Sequence, residues 1–410
     1  MRRLSLTQWI FFAMVVGVAI GWAFPESGRD VGAWAATDLR VLATILVRLI
    51  KALVVPLVFS TIVVGIAASG DELGGMGRLA WRAVLLFTGL TLAALMIGWT
   101  AGLLVQPGAG IALPAPAAAA DVPTRTLTLS GVLEQAVPQS LFDAAARNDV
   151  LQVLVFSIVF GVALARVKGG LRDPVVRVLE GVAETMFRFT GFVMLYAPIG
   201  IGAALAVTVS QSGLDVLRSL GLLIATVYAA LAVFIVAVLV PLGVVNRVRF
   251  REFWRVAQEP SLLAFSAASS DAALPQAMRA LEASGIPRRT VAFVMPTALS
   301  FNLAGSTLFV ATATLFVAQA AGRSFTFGEQ LAVIGTLMLT TKGIAAVPRA
   351  SLVVLSATLT TFGLPVEGAA LILAVDAVMD MARTGTNMVS HCLATVVLDR
   401  WERPLPRESG

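Results

Sequence analysis

The chain has 410 residues, of which 58% are hydrophobic and only 13% charged, with a formal net charge of +6. Soluble domains carry roughly a quarter of their residues as charges, so this composition, with a mean hydropathy of +0.88, belongs to a polytopic membrane protein. The basic excess lies in short connections and does not suggest a nucleic-acid face, and one cysteine, Cys392, excludes a disulfide framework and a cysteine-rich metal site.

The chain starts Met1-Arg2-Arg3, like the basic start of a signal peptide, but no clear small-residue cleavage motif follows. The apolar run from Trp9 to Phe24 is therefore expected to stay as a first membrane helix. Further apolar segments of membrane-crossing length fall near 38–67, 81–105, 150–166, 180–208 and 216–245, after a first near 8–24. The second and fifth exceed the roughly 20 residues a bilayer needs, so they should tilt or extend beyond it. Between the third and fourth, the Pro/Ala-rich stretch 107–137 reads as an external loop with little secondary structure, within a connection spanning 107–149. Counting inward from Arg2 and Arg3, the basic connections Arg166-Val167-Lys168 and Arg247-Val248-Arg249-Phe250-Arg251, with Arg288-Arg289 and the tail after Asp399, all fall on the cytoplasmic side. That is the positive-inside pattern of a plasma-membrane protein with both termini in the cytoplasm.

From about residue 257 the character changes. Segment 257–284 is apolar but interrupted at Ser266-Ala267-Ala268-Ser269-Ser270-Asp271, with Pro275 just after. Segment 328–362 is interrupted in the same way, from Thr341-Lys342-Gly343 to Val347-Pro348-Arg349. Each is followed by a fuller helix, 290–320 and 366–398, the first of them broken around Asn302-Leu303-Ala304-Gly305-Ser306. Broken apolar segments at matching positions of two halves point to the binding site of a secondary transporter built from inverted repeats. Non-helical backbone at membrane depth persists only when buried in protein or lining a cavity, where its N–H and C=O groups can hold ions.

The last apolar segment carries Asp376, Asp380, Arg383, Thr384, Asn387 and His391. Steps of four, three, one, three and four residues put all six on one face of a helix. Charges at that depth are costly and normally face a bundle interior or a watery cavity on a substrate or ion path. A salt-bridged structural stripe is the alternative, but it would not need an amide, a hydroxyl and an imidazole beside the charges.

These motifs together resemble the dicarboxylate/amino acid:cation symporter family, the glutamate transporter homologues, over nearly the whole chain. The resemblance is carried by Arg48-Leu49-Ile50-Lys51 with Val55-Pro56-Leu57-Val58-Phe59-Ser60, by Gln106-Pro107-Gly108-Ala109-Gly110, and by Ser269-Ser270 with Leu274-Pro275. Asn302 with Gly305-Ser306, and Asp376, Asp380, Arg383, Thr384 and Asn387, complete it. It implies an all-α protein of eight transmembrane helices and two re-entrant hairpins, assembled as a homotrimer and working as an elevator. Residues 1–80 (helices one and two) and 150–210 (helices four and five) would form a static scaffold. Residues 81–106 (helix three) and 211–410 would form the moving transport domain.

The resemblance also implies roles. Arg383, a planar cation with several donors, would grip a substrate side-chain carboxylate, and Asp380 would take an α-amino group. Neutral amino acid carriers of the family lack the arginine, and dicarboxylate carriers typically lack that acid, so the pair favours aspartate or glutamate. Thr384 and Asn387 would hold the α-carboxylate. Ser270, Ser306 and the N–H groups around Ser269 would add donors, and Val347 and Pro348 would belong to the second hairpin tip that closes over the substrate.

Departures from the family pattern bear on coupling. Ala304 and His391 stand where relatives have aspartates of sodium sites, and an imidazole is a poor ligand for a hard cation. Asn302, Asn387, His391 and Lys342 are the candidate ion or coupling residues, with no resident cofactor or metal expected. Sodium coupling is expected to be weakened or lost, with a proton on His391 as the alternative. The same fold could instead carry a neutral amino acid, a dicarboxylate or a cystine-like solute, and a receptor or anion pathway is the reading from another class. An enzyme is disfavoured, because His391 lies eleven residues beyond Asp380, about 16 Å along a helix at about 1.5 Å per residue, too far for proton relay.

Overall fold

The computed structural model describes residues 6–26, 34–111, 137–147, 150–167, 170–341 and 350–402. Among these the regular structure is helical throughout. Apolar composition with few prolines makes this the natural outcome, since a helix satisfies its own backbone polar groups where water is absent. The first half comprises α1 (Leu6–Ala23), α2 (Arg40–Val105), α3 (Leu141–Ala146), α4 (Val150–Ala165), α5 (Arg172–Ser212) and α6 (Asp215–Val245). The second half comprises α7 (Phe250–Ala267), α8 (Ser270–Ala283), α9 (Arg288–Phe301), α10 (Ala304–Ala320), α11 (Phe327–Thr340), α12 (Ala350–Thr361) and α13 (Glu367–Glu402).

One expectation from the sequence changes here. The segments 38–67 and 81–105 were expected as separate helices, whereas helical backbone runs unbroken from Arg40 to Val105. The connecting stretch Gly70-Asp71-Glu72-Leu73-Gly74-Gly75 is polar and glycine-rich but holds no proline, so nothing removes a backbone donor. The short helix α3 lies in the connection 107–149, beyond the Pro/Ala-rich stretch 107–137. The Pro/Ala-rich part from 112 to 136, and the second hairpin's interruption at 342–349, lie outside the described residues.

The two halves of α2 serve different partners. Its first half packs with α4 and α5: Ile66 meets Gly161 of α4 and Leu46 meets Gly200 of α5, while Gly17 of α1 lies against α5 at the backbone of Gly202. Tyr196 of α5 donates to Leu42 O at 3.0 Å. Its second half packs on α10, where Gly98 approaches the backbone of Leu308 too closely for any side chain. Thr312 Oγ1 donates to Gly98 O at 3.0 Å and Gln319 Nε2 to Gly102 O at 2.8 Å. Small residues at such crossings let backbones touch, which drives helix association where lipid removes the hydrophobic drive. Contacts between the two groups are apolar and small: Val58 and Ile62 pack on Val353 and Ala357, and Ala204 on Ala370.

Four stretches among the described residues are long and apolar enough to cross a bilayer: Arg78–Val105, Arg172–Gln211, Asp215–Val245 and Arg288–Ala320. The last of these is almost wholly buried, so it is core and not lipid-facing wall. α13 is buried along nearly its whole length, packed by α2, α5, α6, α7, α9 and α10. That enclosure is what lets a membrane helix carry two acids and an arginine.

Candidate binding site on the last helix

Among the described residues, two breaks in helical backbone are built around α13. The first hairpin turns at Ala268, a non-glycine residue in the left-handed region (φ 47°), and Ser269 caps α8 by accepting from Ala272 N at 3.3 Å. A side-chain oxygen at that cap satisfies a donor that the first helical turn leaves open. The N–H of Ser269, expected as a donor to substrate, instead donates to Ala264 O at 3.2 Å, so the tip is closed on its own first arm. Ser270 is buried beside it. The hairpin reaches α13 at Gly385, where a Cβ would stand 3.2 Å from Phe265 Cβ.

The second break separates α9 from α10 at Asn302 and Leu303, both outside helical geometry. Asn387 of α13 stitches it: its Oδ1 accepts from Gly305 N at 2.8 Å, and its Nδ2 donates to Ser306 Oγ at 3.1 Å. Gly305 is required here, since a Cβ would fall 2.6 Å from Arg383 O and 3.1 Å from Asn387 Oδ1. Asn387 therefore uses both ends of its amide to fix an otherwise open helix start against the stripe.

Arg383 is the centre of the site and is only 1% exposed. Its Nε donates to Asp380 Oδ1 at 2.9 Å and its Nη1 to Asp376 Oδ1 at 2.7 Å. Thr384 Oγ1 also donates to Asp380 Oδ1, at 3.3 Å. The guanidinium carbon lies 4.3 Å from the centroid of the Phe309 ring on α10, a cation–π platform that fixes its plane. Nη2 of Arg383 has no hydrogen-bond partner. A buried guanidinium with one unanswered edge is costly unless something accepts from it. Structural pairing with Asp376, the alternative weighed from sequence, is thus present, and it coexists with a free donor edge.

One turn and more beyond lies a second polar cluster. Asn302 Nδ2 donates to Ser390 Oγ at 3.1 Å and lies 3.4 Å from His391 Nδ1. His391 is fully buried, and its Nε2 and the Asn302 Oδ1 have no partner. Ala304 is also fully buried. Thr91 is buried, with its hydroxyl donating to Phe87 O at 2.6 Å. Among the described residues no group of three His, Cys, Asp or Glu side chains could hold a metal ion.

The structure thus brings Asp376, Asp380, Arg383 and Thr384 into one bonded network, with Asn387 bonded to Ser306 one turn on and Asn302 beside Ser390 and His391 in a third group. Lys342, Val347 and Pro348 lie outside the described residues. Sequence reasoning missed Phe309 and Ser390. Ser390 follows Asn387 by three residues and precedes His391, so the stripe's own spacing could have found it; Phe309 had no such signal, because its role depends on how α10 docks.

Chemically, these groups offer a fixed cation edge, a carboxylate one turn away and amide and hydroxyl donors, all buried. Nothing among them resembles an activated nucleophile or a paired acid and base.

A sequence profile described as the Sodium:dicarboxylate symporter family matches residues 6–401. The chain is 36% identical over 418 residues to a proton/sodium-glutamate symport protein of Bacillus caldotenax, covering 100% of this chain and 97% of the relative. It is 37% identical over 422 residues to a proton/glutamate-aspartate symporter of Escherichia coli (strain K12), covering 100% and 95%. It is 38% identical over 417 residues to a C4-dicarboxylate transport protein of Anaeromyxobacter sp. (strain K), covering 99% and 92%.

Proposed function

The chain belongs to the sodium:dicarboxylate symporter family, and from that premise we propose that it is a secondary transporter of aspartate or glutamate whose sodium coupling is weakened or lost. It is a multi-pass membrane transporter and not an enzyme. Relatives named for glutamate and for C4-dicarboxylates match it at nearly equal identity, so identity does not choose between the solutes. The observation that carries the choice is the Asp376–Arg383–Asp380 network with its unanswered Nη2.

A substrate carboxylate would accept from that edge of Arg383, where two parallel N–H···O bonds give both strength and orientation. As Arg383 turns toward the substrate, Asp380 is released to receive an α-amino group, which a dicarboxylate does not have. Thr384 would then donate to the α-carboxylate, while Asn387 fixes the floor through Gly305 and Ser306. One guanidinium thereby offsets part of the charge of two carboxylates, and substrate exchanges one set of partners for another.

The coupling claim rests on charge. Among the described stripe residues, two carboxylates face one guanidinium. Two further aspartates, at the positions of Ala304 and His391, would leave several negative charges to neutralise before a loaded site could cross lipid. With alanine and imidazole there, fewer cations are needed, and a proton on His391 could serve. The reading extends to an elevator in a homotrimer of the inner membrane. In it α1, α4, α5 and the first half of α2 act as scaffold, and the rest moves along the apolar Val58–Val353 and Ala204–Ala370 contacts.

The test is uptake of labelled aspartate into liposomes holding the purified protein, with and without sodium, crossed with an imposed pH gradient. Uptake without sodium that rises with an inward proton gradient is expected. Strict dependence on sodium would refute the roles given to Ala304 and His391, and indifference to pH would remove the proton.

A further inference from the structure

A groove unrelated to the site on α13 opens at the basic end of the bundle, between the second half of α2, the end of α6 and the end of α13. Its volume is about 500 Å³. Leu85, Leu86, Gly89 and Leu90 line one wall, Ala237 and Val238 the other. The wall on α6 is a π turn, Ile235–Leu239, in which Val240 N donates to Ile235 O. Pro241 is the local cause: without an N–H it cannot return a bond to Ala237, and the ladder shifts by one residue. The opposite wall is recessed at Gly89, where an added Cβ would meet no atom within 4 Å.

The mouth of the groove is charged and aromatic. Arg82 and Trp401 line it. Arg82 Nη1 donates to Glu402 Oε1 at 2.8 Å and to Trp401 O, while Arg78 Nη2 meets Glu402 Oε2 at 3.2 Å. One carboxylate thus answers two guanidinium groups, and Arg78 remains 71% exposed. Trp401 is anchored by its Nε1 to Asn246 Oδ1 at 2.7 Å, with Arg400 next to it holding the carbonyls of Asn246 and Arg247. From Arg82 to Leu90 the groove runs eight residues down α2, about 12 Å of apolar depth at about 1.5 Å per residue. A basic, tryptophan-bearing rim above an apolar furrow has the chemistry of one molecule: a negatively charged head on a hydrocarbon chain.

We infer that this groove binds one anionic phospholipid of the cytoplasmic leaflet, its phosphodiester on Arg78 and Arg82 and one acyl chain between Gly89 and Ala237. The bound lipid ties together the ends of three helices, including the one that carries Arg383.

The test reads tryptophan quenching by acyl-brominated phosphatidylglycerol or phosphatidylcholine in vesicles containing the full chain. The Trp401 signal is obtained by difference from Trp401→Phe. Trp22, exposed on α1 far along the chain, reports ordinary boundary lipid by difference from Trp22→Phe. Trp401 quenching should saturate at a mole fraction of phosphatidylglycerol at least five-fold lower than of phosphatidylcholine, with no such preference at Trp22. Gly89→Leu, whose side chain has open space to enter, should remove the saturable part. Arg78→Gln with Arg82→Gln should erase the preference for the anionic lipid but leave chain entry. Equal quenching by both lipids, or a Trp401 signal unchanged in Gly89→Leu, would overturn the assignment. So would stronger quenching after removal of residues 403–410, which would make the tail the occupant.

Discussion

Replacing Arg383 by cysteine separates a binding role from a structural one. Arg383 answers Asp376 and Asp380, both buried, at 2.7 and 2.9 Å. Removing it leaves two acids without their shared cation, a loss of about 3–5 kcal/mol for a broken buried pair unless the acids take up protons. If Arg383 also holds the substrate carboxylate, a charged hydrogen-bonding contact of about 1.5–3 kcal/mol is lost on binding. At about 1.4 kcal/mol per decade that is roughly 10- to 150-fold weaker aspartate binding. Serine has no side-chain carboxylate and should lose little. The assay is competition of labelled aspartate by unlabelled aspartate and serine in purified protein, with thermal unfolding measured alongside. The account predicts that the ratio of aspartate to serine affinity falls by at least ten-fold. Arg383→Lys should fall between the two, because an ammonium keeps the charge without the planar fork. A lower melting temperature with an unchanged affinity ratio would leave Arg383 a structural partner and refute the reasoning.

Three other outcomes are expected. Asp380→Asn should raise inhibition of uptake by succinate relative to aspartate, since the acid meant for an amine is gone; competition assays in liposomes check this, and an unchanged ratio removes that role. Ala304→Asp combined with His391→Asp should turn uptake from sodium-indifferent to sodium-dependent, read as the ratio of rates in sodium and potassium buffers. Gly305→Ala should abolish aspartate binding and cost about 1–3 kcal/mol of stability, because its Cβ would fall 2.6 Å from Arg383 O. Gly335→Ala, where a Cβ meets nothing within 4 Å, is the control and should leave both binding and melting temperature intact.

Much of this architecture was legible in residue spacing. The stripe from Asp376 to His391 follows from steps of three and four, and the breaks at Ala268–Ser269 and Asn302–Leu303 were marked by polar and small residues inside apolar runs. Other features depend on who packs against whom, which spacing does not record. The continuity of α2 was hidden because glycines at 70, 74 and 75 look like a turn, although they only lower helix propensity. Spacing pairs Arg383 with Asp380, three residues before it, whereas the second bridge to Asp376 spans seven residues, two turns, and depends on the extended guanidinium. Phe309 under the guanidinium and the close approach at Gly305 both arise from the docking of α10 on α13, between residues about 75 positions apart. The closed Ser269 N–H shows a related limit: a hairpin tip that looks open in sequence can satisfy its own donors.

Counterflow tests the central claim most directly. Vesicles holding the purified protein and preloaded with unlabelled aspartate should transiently concentrate external labelled aspartate without sodium, and preloading with serine or succinate should do so far less. Binding of aspartate with no counterflow would make the protein a receptor, and counterflow driven by succinate but not aspartate would contradict recognition of an amine by Asp380.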